Sequence, residues 1–190
     1  MNREYVKFLT GNKHKFQEAY GILSPLGLEI EIVDAKGMEF QDDDINIIAS
    51  SSAKVAKKTI SGPLIVEDAG LFIRNLNNFP GPYSSYVYKT LGCEGILKLM
   101  ADVGDRNAEF RSAVAYIDDV TAPVAKIFSG SIKGVISYTS SGINGFGFDP
   151  IFVPTCSDLT FGEMELGAKS KISHRGESLR LFASWYLANK

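Results

Sequence analysis

The sequence predicts an α/β fold, and three stretches carry that prediction. Tyr5-Val6-Lys7-Phe8-Leu9 reads as a short strand that stops at a glycine-containing turn; Phe16, Ala19, Tyr20 and Leu23 then recur at helical spacing. Leu64-Ile65-Val66 reads as a second, buried strand, apolar and partly β-branched, closed by the adjacent carboxylates of Glu67 and Asp68. Residues 108–117 and 124–132 alternate as strands joined by a turn at Asp118-Asp119. Strands interleaved with helices in this way build an open sheet, which receives its ligands at the carboxyl ends of the strands.

The other elements follow from local chemistry. Thr10-Gly11-Asn12-Lys13-His14-Lys15 links the first strand to the first helix. Such a strand–turn–helix junction presents backbone N–H groups to a phosphate, and Lys13 and Lys15 add charge there. The same residues also fit a plain helix cap by Thr10 or Asn12, and no Walker A motif is present. Pro25-Leu26-Gly27 turns the chain into a strand over 29–33. A helix over 45–58 starts behind Asp42-Asp43-Asp44, whose charge suits a helix N-terminus and reads as structural. Glu39, just ahead of them, has no such explanation.

After the central strand, Phe79-Pro80-Gly81-Pro82-Tyr83-Ser84-Ser85 forms a stiff aromatic loop, followed by helices over 84–91 and 94–100. A strand over 134–138 leads into a loop containing Gly145-Phe146-Gly147-Phe148-Asp149. Its glycines let backbone approach a flat ligand while the phenylalanines stack on it; a hairpin end with core aromatics is the alternative. Ser173 caps a final helix rich in Leu179, Leu181, Phe182, Trp185 and Leu187. His174 and Arg175 then fall in its first turn, where cations are disfavoured unless an anion neutralises them. With Lys169 and Lys171 nearby, that placement points to a bound phosphate.

Composition narrows the functional classes. With 190 residues, 45% hydrophobic and 22% charged, the chain is long enough for one well-cored domain over 1–190 and too apolar for disorder. A net charge of -2 provides no global basic field for a nucleic-acid partner, so a polyanionic ligand has to meet local lysines and arginines. No apolar run approaches a membrane span, and Met1 to Glu4 lead into a strand without an apolar signal region; a cytoplasmic protein is expected. Cys93 and Cys156 match no metal spacing and make no disulfide framework.

Side chains alternate along a strand, so Glu67 and Asp68 point to opposite sides while it stays extended. One of them can look into a cleft, where a buried carboxylate needs a cation or hydrogen-bond donors. A magnesium ion beside a general base answers that need; a solvated acidic turn is the other reading of this stretch alone.

Taken together, these segments resemble the non-canonical purine nucleoside triphosphate pyrophosphatase (inosine triphosphatase) family. The matching pieces are Thr10-Gly11-Asn12 with Lys15, Glu67-Asp68-x-Gly70, Pro80-Gly81-Pro82-Tyr83, Gly145-Phe146-Gly147-Phe148-Asp149-Pro150 and Ser173-His174-Arg175, in the family's order. The resemblance implies a two-lobed α/β fold, with a long central mixed sheet flanked by helices and an active-site cleft between the lobes. It also implies a homodimer with residues 80–83 near the interface, and hydrolysis of a purine nucleoside triphosphate such as ITP, dITP or XTP to the monophosphate and pyrophosphate.

By the same resemblance Asp68 is general base and Mg²⁺ ligand, and Glu39 the second Mg²⁺ carboxylate. Thr10, Gly11, Asn12, Lys13, His14 and Lys15 bind phosphate, and Ala69 is a further substrate-binding position. Phe146 stacks on the base, Gly147, Phe148 and Asp149 continue the pocket, and Lys169, His174 and Arg175 close over base and phosphates. The chain departs from many relatives at Glu67 and Ala69, where aspartate and serine are common, and at Ile47-Ile48-Ala49 and Ser52, where a Glu-Asn-Ala and lysine pattern is usual. A non-catalytic nucleotide sensor and a Maf-type pyrophosphatase are the alternatives; no Nudix box is present.

Overall fold

In a computed structural model, which describes residues 5–34 and 40–189, the chain forms a mixed sheet edged and faced by helices. The elements are β1 (Val6–Leu9), α1 (Lys13–Leu23), β2 (Ile30–Val33), α2 (Ile45–Ala56), β3 (Leu64–Ile73), β4 (Pro80–Gly81), α3 (Ser84–Thr90), α4 (Gly92–Leu99), β5 (Asn107–Ile117), β6 (Lys126–Ile136), β7 (Phe152–Pro154), α5 (Leu166–Ile172) and α6 (His174–Ala188). The seven strands run in the order β2-β1-β3-β5-β6-β7, with β4 pairing on β3. β1 is parallel to β2 and β3, and every later pairing is antiparallel.

The elements differ from the sequence reading in several places: the strands β4 and β7, two and three residues long, are too short for an alternating pattern to announce them. β3 does not end at the carboxylates but runs through them to Ile73, because Glu67 and Asp68 remain in register with Val114 and Ala113 of β5. Only its parallel partnership with β1 stops at Val66. The strands expected over 124–132 and 134–138 form one element, β6, with Gly134 inside it. That glycine does not break the ladder; a Cβ there would lie 2.3 Å from the Val153 carbonyl oxygen and 2.6 Å from the Phe152 ring, so its bareness lets β7 close on β6. α5, seven residues with two lysines in its last turn, had no apolar periodicity to reveal it.

Alternation along β3 sorts its side chains onto two faces. Leu64 and Val66 face α2 and pack with Ile45, Ala49 and Ala53. Ile65 joins Phe8, Leu23, Val114 and Phe182 beneath α1 and α6, whereas Leu71 on that same face belongs to a second cluster with Phe110, Phe152 and Phe161. Glu67 lies between Ile65 and Leu71, so it falls in the gap between two apolar clusters. The start of α6 closes on this gap because Gly130 of β6 carries no side chain. A Cβ there would meet the His174 carbonyl oxygen at 2.3 Å and the Ser178 nitrogen at 2.6 Å.

Candidate active site

The gap holds a network of buried charges. Glu67 Oε1 accepts from Arg175 Nε at 3.1 Å and from Ser112 Oγ at 2.8 Å, while Glu67 Oε2 sits 2.9 Å from Lys15 Nζ. The lysine makes that last contact as a charge; its hydrogen bond is aimed at the Glu67 carbonyl oxygen, 3.2 Å away. Arg175 Nη1 also donates to Glu18 Oε2. Glu18 Oε1 and Asp149 Oδ2 each accept from Lys169 Nζ at 2.6 Å. Three carboxylates therefore face three cations, and Ser178 Oγ completes the chain 2.9 Å from Ser112 Oγ.

This arrangement overturns one inference from the sequence. His174 and Arg175 do stand in the first turn of α6, with Ser173 capping it through the Gly176 N–H. Arg175, though, is neutralised by Glu18 and Glu67 and needs no external anion. His174 avoids the conflict by staying uncharged: burial, then the Arg175 and Lys169 charges, hold its pKa well below the ordinary imidazole value. Its ring lies flat on Phe110, 4.7 Å between centroids, and Nδ1 has no hydrogen-bond partner.

Asp68 points to the other face, towards α2, and is only half-buried. Its Oδ2 is nonetheless shut from solvent and has no hydrogen-bond partner. Burial pushes its pKa up to about 6; Lys15 opposes the rise and the neighbouring Glu67 charge reinforces it. Glu67 behaves oppositely. Burial also works against its charge, but Arg175 and then Lys15 outweigh that and hold its pKa down at about 2. Two adjacent carboxyls are thus driven apart into a permanent anion and a group that exchanges protons near neutrality, the pattern that separates roles in acid–base sites.

Thr10 to Lys15 sit at the carboxyl end of β1, as the junction predicts. Asn12 is the helix cap: its Oδ1 accepts from the N–H groups of His14 and Lys15 at 2.9 and 3.3 Å, so those two donors are already engaged. Lys13 and Gly11 are exposed, and Lys15 reaches the central network. Ala69 lies in the ladder opposite Ser112. Gly70 beyond it is obligatory, since a Cβ would lie 2.2 Å from the Gly81 carbonyl oxygen of β4. Glu39 lies outside the described residues.

The aromatic loop divides its work unevenly. Phe146 is half-buried, with Lys169 Nζ 5.2 Å and Arg175 Cζ 5.3 Å from its ring centroid. Phe148 is a core residue, 2% exposed and edge-on to Tyr88, and so presents no stacking face. Asp149 is buried and folds the loop by accepting from the Phe146 N–H at 2.7 Å as well as from Lys169. Gly147, at φ 64°, takes a backbone conformation that L side chains rarely adopt, and its carbonyl accepts from Cys93 Sγ at 3.4 Å.

Glu18 is the residue that the sequence reading missed. It stands one turn beyond Lys15, on the stripe of α1 that buries Ala19, Ile22 and Leu23. A glutamate on an apolar stripe was the available signal. Of two open grooves, one of about 700 Å³ adjoins the network, lined by Ile45, Phe72, Ser112 and Gly130 among others, and one of about 760 Å³ lies around Arg106 and Tyr138; the residues lining them include neither Asp68 nor Phe146. The displaced acid, the orphaned oxygen and the converging charges mark the chemistry better than open volume does.

Fold and site together define an α/β protein in which the strand–turn–helix junction of Thr10 to Lys15 stands next to a carboxylate whose pKa is raised by burial. Comparison with known proteins makes the assignment sharper. The Ham1 family model matches residues 6–185. The chain is similar to proteins named dITP/XTP pyrophosphatase from Methanopyrus kandleri, 47% identical over 184 residues with 97% of each chain covered, and from Thermococcus kodakarensis, 43% identical with 96% and 97% covered. Among solved structures, a HAM1 protein from Coxiella burnetii superposes with a TM-score of 0.84 at 28% identity, covering 96% of this chain and 99% of that one. The chain belongs to the Ham1 family. Among the described residues no helix is long and apolar enough to cross a membrane.

Proposed function

We propose that this chain is a nucleoside triphosphate pyrophosphatase that hydrolyses non-canonical purine nucleoside triphosphates, ITP, dITP and XTP, to the monophosphate and pyrophosphate. The observation that carries the proposal is Asp68, an acid with a buried unpartnered oxygen and a pKa near 6 beside the Thr10–Lys15 turn. The names of the relatives support the same reading. In this reading water attacks the α-phosphorus, Asp68 takes its proton, the α–β bridging bond breaks and pyrophosphate leaves. General-base assistance of this kind contributes roughly 10²–10⁴ in rate. Lys15 neutralises part of the phosphate charge, and Phe146 stacks on the base.

Mg²⁺ is the proposed cofactor, held by Asp68 and by Glu39. Among the described residues no three His, Cys, Asp or Glu side chains converge as a metal cage. Mg²⁺ does not need one, because it binds through one or two carboxylates plus substrate phosphates and water, and the orphaned Asp68 oxygen fits that role. When bound, the ion supplies charge neutralisation at the phosphates.

Base choice falls to the buried cluster. Hypoxanthine and xanthine present a 6-oxo acceptor and an N1–H donor, whereas adenine presents an amino group and a bare N1. A dry pocket with fixed donors and acceptors leaves groups unpaired against the wrong edge, worth roughly 10⁴ or more in discrimination; the His174–Arg175 pair, with the unpartnered His174 Nδ1, and the backbone of the Phe146–Asp149 loop are the groups proposed for it. A homodimer in the cytoplasm completes the proposal, supported by the exposed Phe79, Tyr83 and Tyr86 around the Pro80–Gly81 strand. The test is magnesium-dependent turnover of ITP, dITP, XTP, GTP, ATP and dUTP with the products identified. Pyrophosphate from the first three supports the reading; orthophosphate as product, or ATP cleaved as fast as ITP, refutes it.

A further inference from the structure

We propose that His14 is a movable cover on the stacking face of Phe146, and that the purine base takes the place its imidazole holds in the empty protein. This rests on the functional reading above. The His14 and Phe146 rings are stacked, 5.4 Å between centroids with 18° between their planes. A third ring inserted between two parallel rings needs about 7 Å, two layers of van der Waals contact, so base and imidazole cannot share that space.

Something at the ring has to yield, and the structure distinguishes the candidates. Lys169 and Arg175, the cations against Phe146, have side chains only 3% exposed and are locked to Glu18, Asp149 and Glu67. Phe146 itself is tethered through its N–H to Asp149. His14 is exposed, and among the described residues no hydrogen bond or ion pair holds its side chain. Only its backbone is anchored, by the Asn12 cap. The imidazole can therefore swing away without disturbing the turn that carries it.

Self-stacking in the empty protein opposes base binding by the strength of one aromatic pair, and it leaves phosphate binding untouched. His14→Ala removes the competitor. Measured with the full chain and Mg²⁺, the dissociation constant for inosine monophosphate is expected to fall about two- to tenfold, with that for inorganic pyrophosphate unchanged. His14→Phe stacks more strongly and shifts the monophosphate constant the other way. The chain has two histidines, so the His14 ring resonances are assigned with one variant. They should lose their ring-current shift when inosine monophosphate is added and keep it with pyrophosphate.

Weaker binding of both ligands by His14→Ala would make His14 a phosphate ligand and overturn the cover. Weaker or unchanged binding of the monophosphate alone would mean that the imidazole clamps the base or ignores it, and would overturn it equally. A wild-type chain that cleaves no purine triphosphate refutes the functional reading first, and the cover with it; active wild-type chain with either contrary binding result refutes the cover alone.

Discussion

Arg175→Ala should destabilise the empty protein strongly. The guanidinium bridges Glu18 and Glu67 inside a site where all three side chains are 5% exposed or less. Its removal leaves Glu67 with Lys15 and Ser112, and Glu18 with Lys169 alone. Breaking a buried pair from one side costs about 3–5 kcal/mol, because the partner stays desolvated without its counter-charge. In a domain of this length that corresponds to a fall in Tm of roughly 6–20 °C. The pH dependence is diagnostic. Glu67 has a folded pKa of about 2 against 4.5 when unfolded, so its stabilisation is complete above 4.5 and is lost as pH falls from 4.5 towards 2. Arg175 is the principal charge sustaining that difference, so the gap between variant and wild type should narrow across the same window. Thermal melts at pH 7 and pH 3 measure it. An Arg175→Met, Glu67→Gln double variant should recover much of the loss at pH 7. If Arg175→Ala melts at or above the wild-type temperature at pH 7, the protein carboxylates do not compensate this cation and the network described above is wrong.

Asp68→Asn should lower turnover by roughly two to four orders of magnitude, since an amide cannot take the proton, while stabilising the empty protein at pH 8. The sign follows from its raised pKa: the stability that protonated Asp68 contributes is full below 3.8 and gone as pH rises past about 6, so the gain in the variant should vanish in acid. Near-normal turnover, or a variant less stable at pH 8, contradicts the role. Phe146→Ala should weaken inosine and xanthosine monophosphate binding alike by about 1–3 kcal/mol, the range for lost base stacking, as read by calorimetry; loss for one base only would indicate an edge contact. Gly130→Ala should force the first turn of α6 off β6, lowering stability by roughly 1–3 kcal/mol and turnover with it, and unchanged melts and kinetics would show that the close approach is not needed.

Local patterns alone disclosed most of the elements and the places where chemistry concentrates. Helical spacing after Gly11 located α1, short runs rich in apolar residues located β1 and the start of β3, and Ser173 announced the start of α6, because caps, periodicity and turns depend on residues near one another in the chain. The carboxylate pair at Glu67 and Asp68 was likewise visible, as was their divergence to opposite faces. Which of the two is the permanent anion was not, since that depends on Arg175, 108 residues away, reaching Glu67 while the Oδ2 of Asp68 stays without a hydrogen-bond partner. Glu18 was passed over for the same reason: its partners Lys169 and Arg175 lie more than 150 residues further on. Phe146 and Phe148 look equivalent in sequence, yet packing against Tyr88 sends one into the core and leaves the other beside the cations. Residue type and spacing set what each side chain is able to do. Burial and charge partners, supplied by distant segments, decided which of those abilities is expressed, because the free energy of a charge depends on everything within a few ångströms and on nothing in the order of the chain.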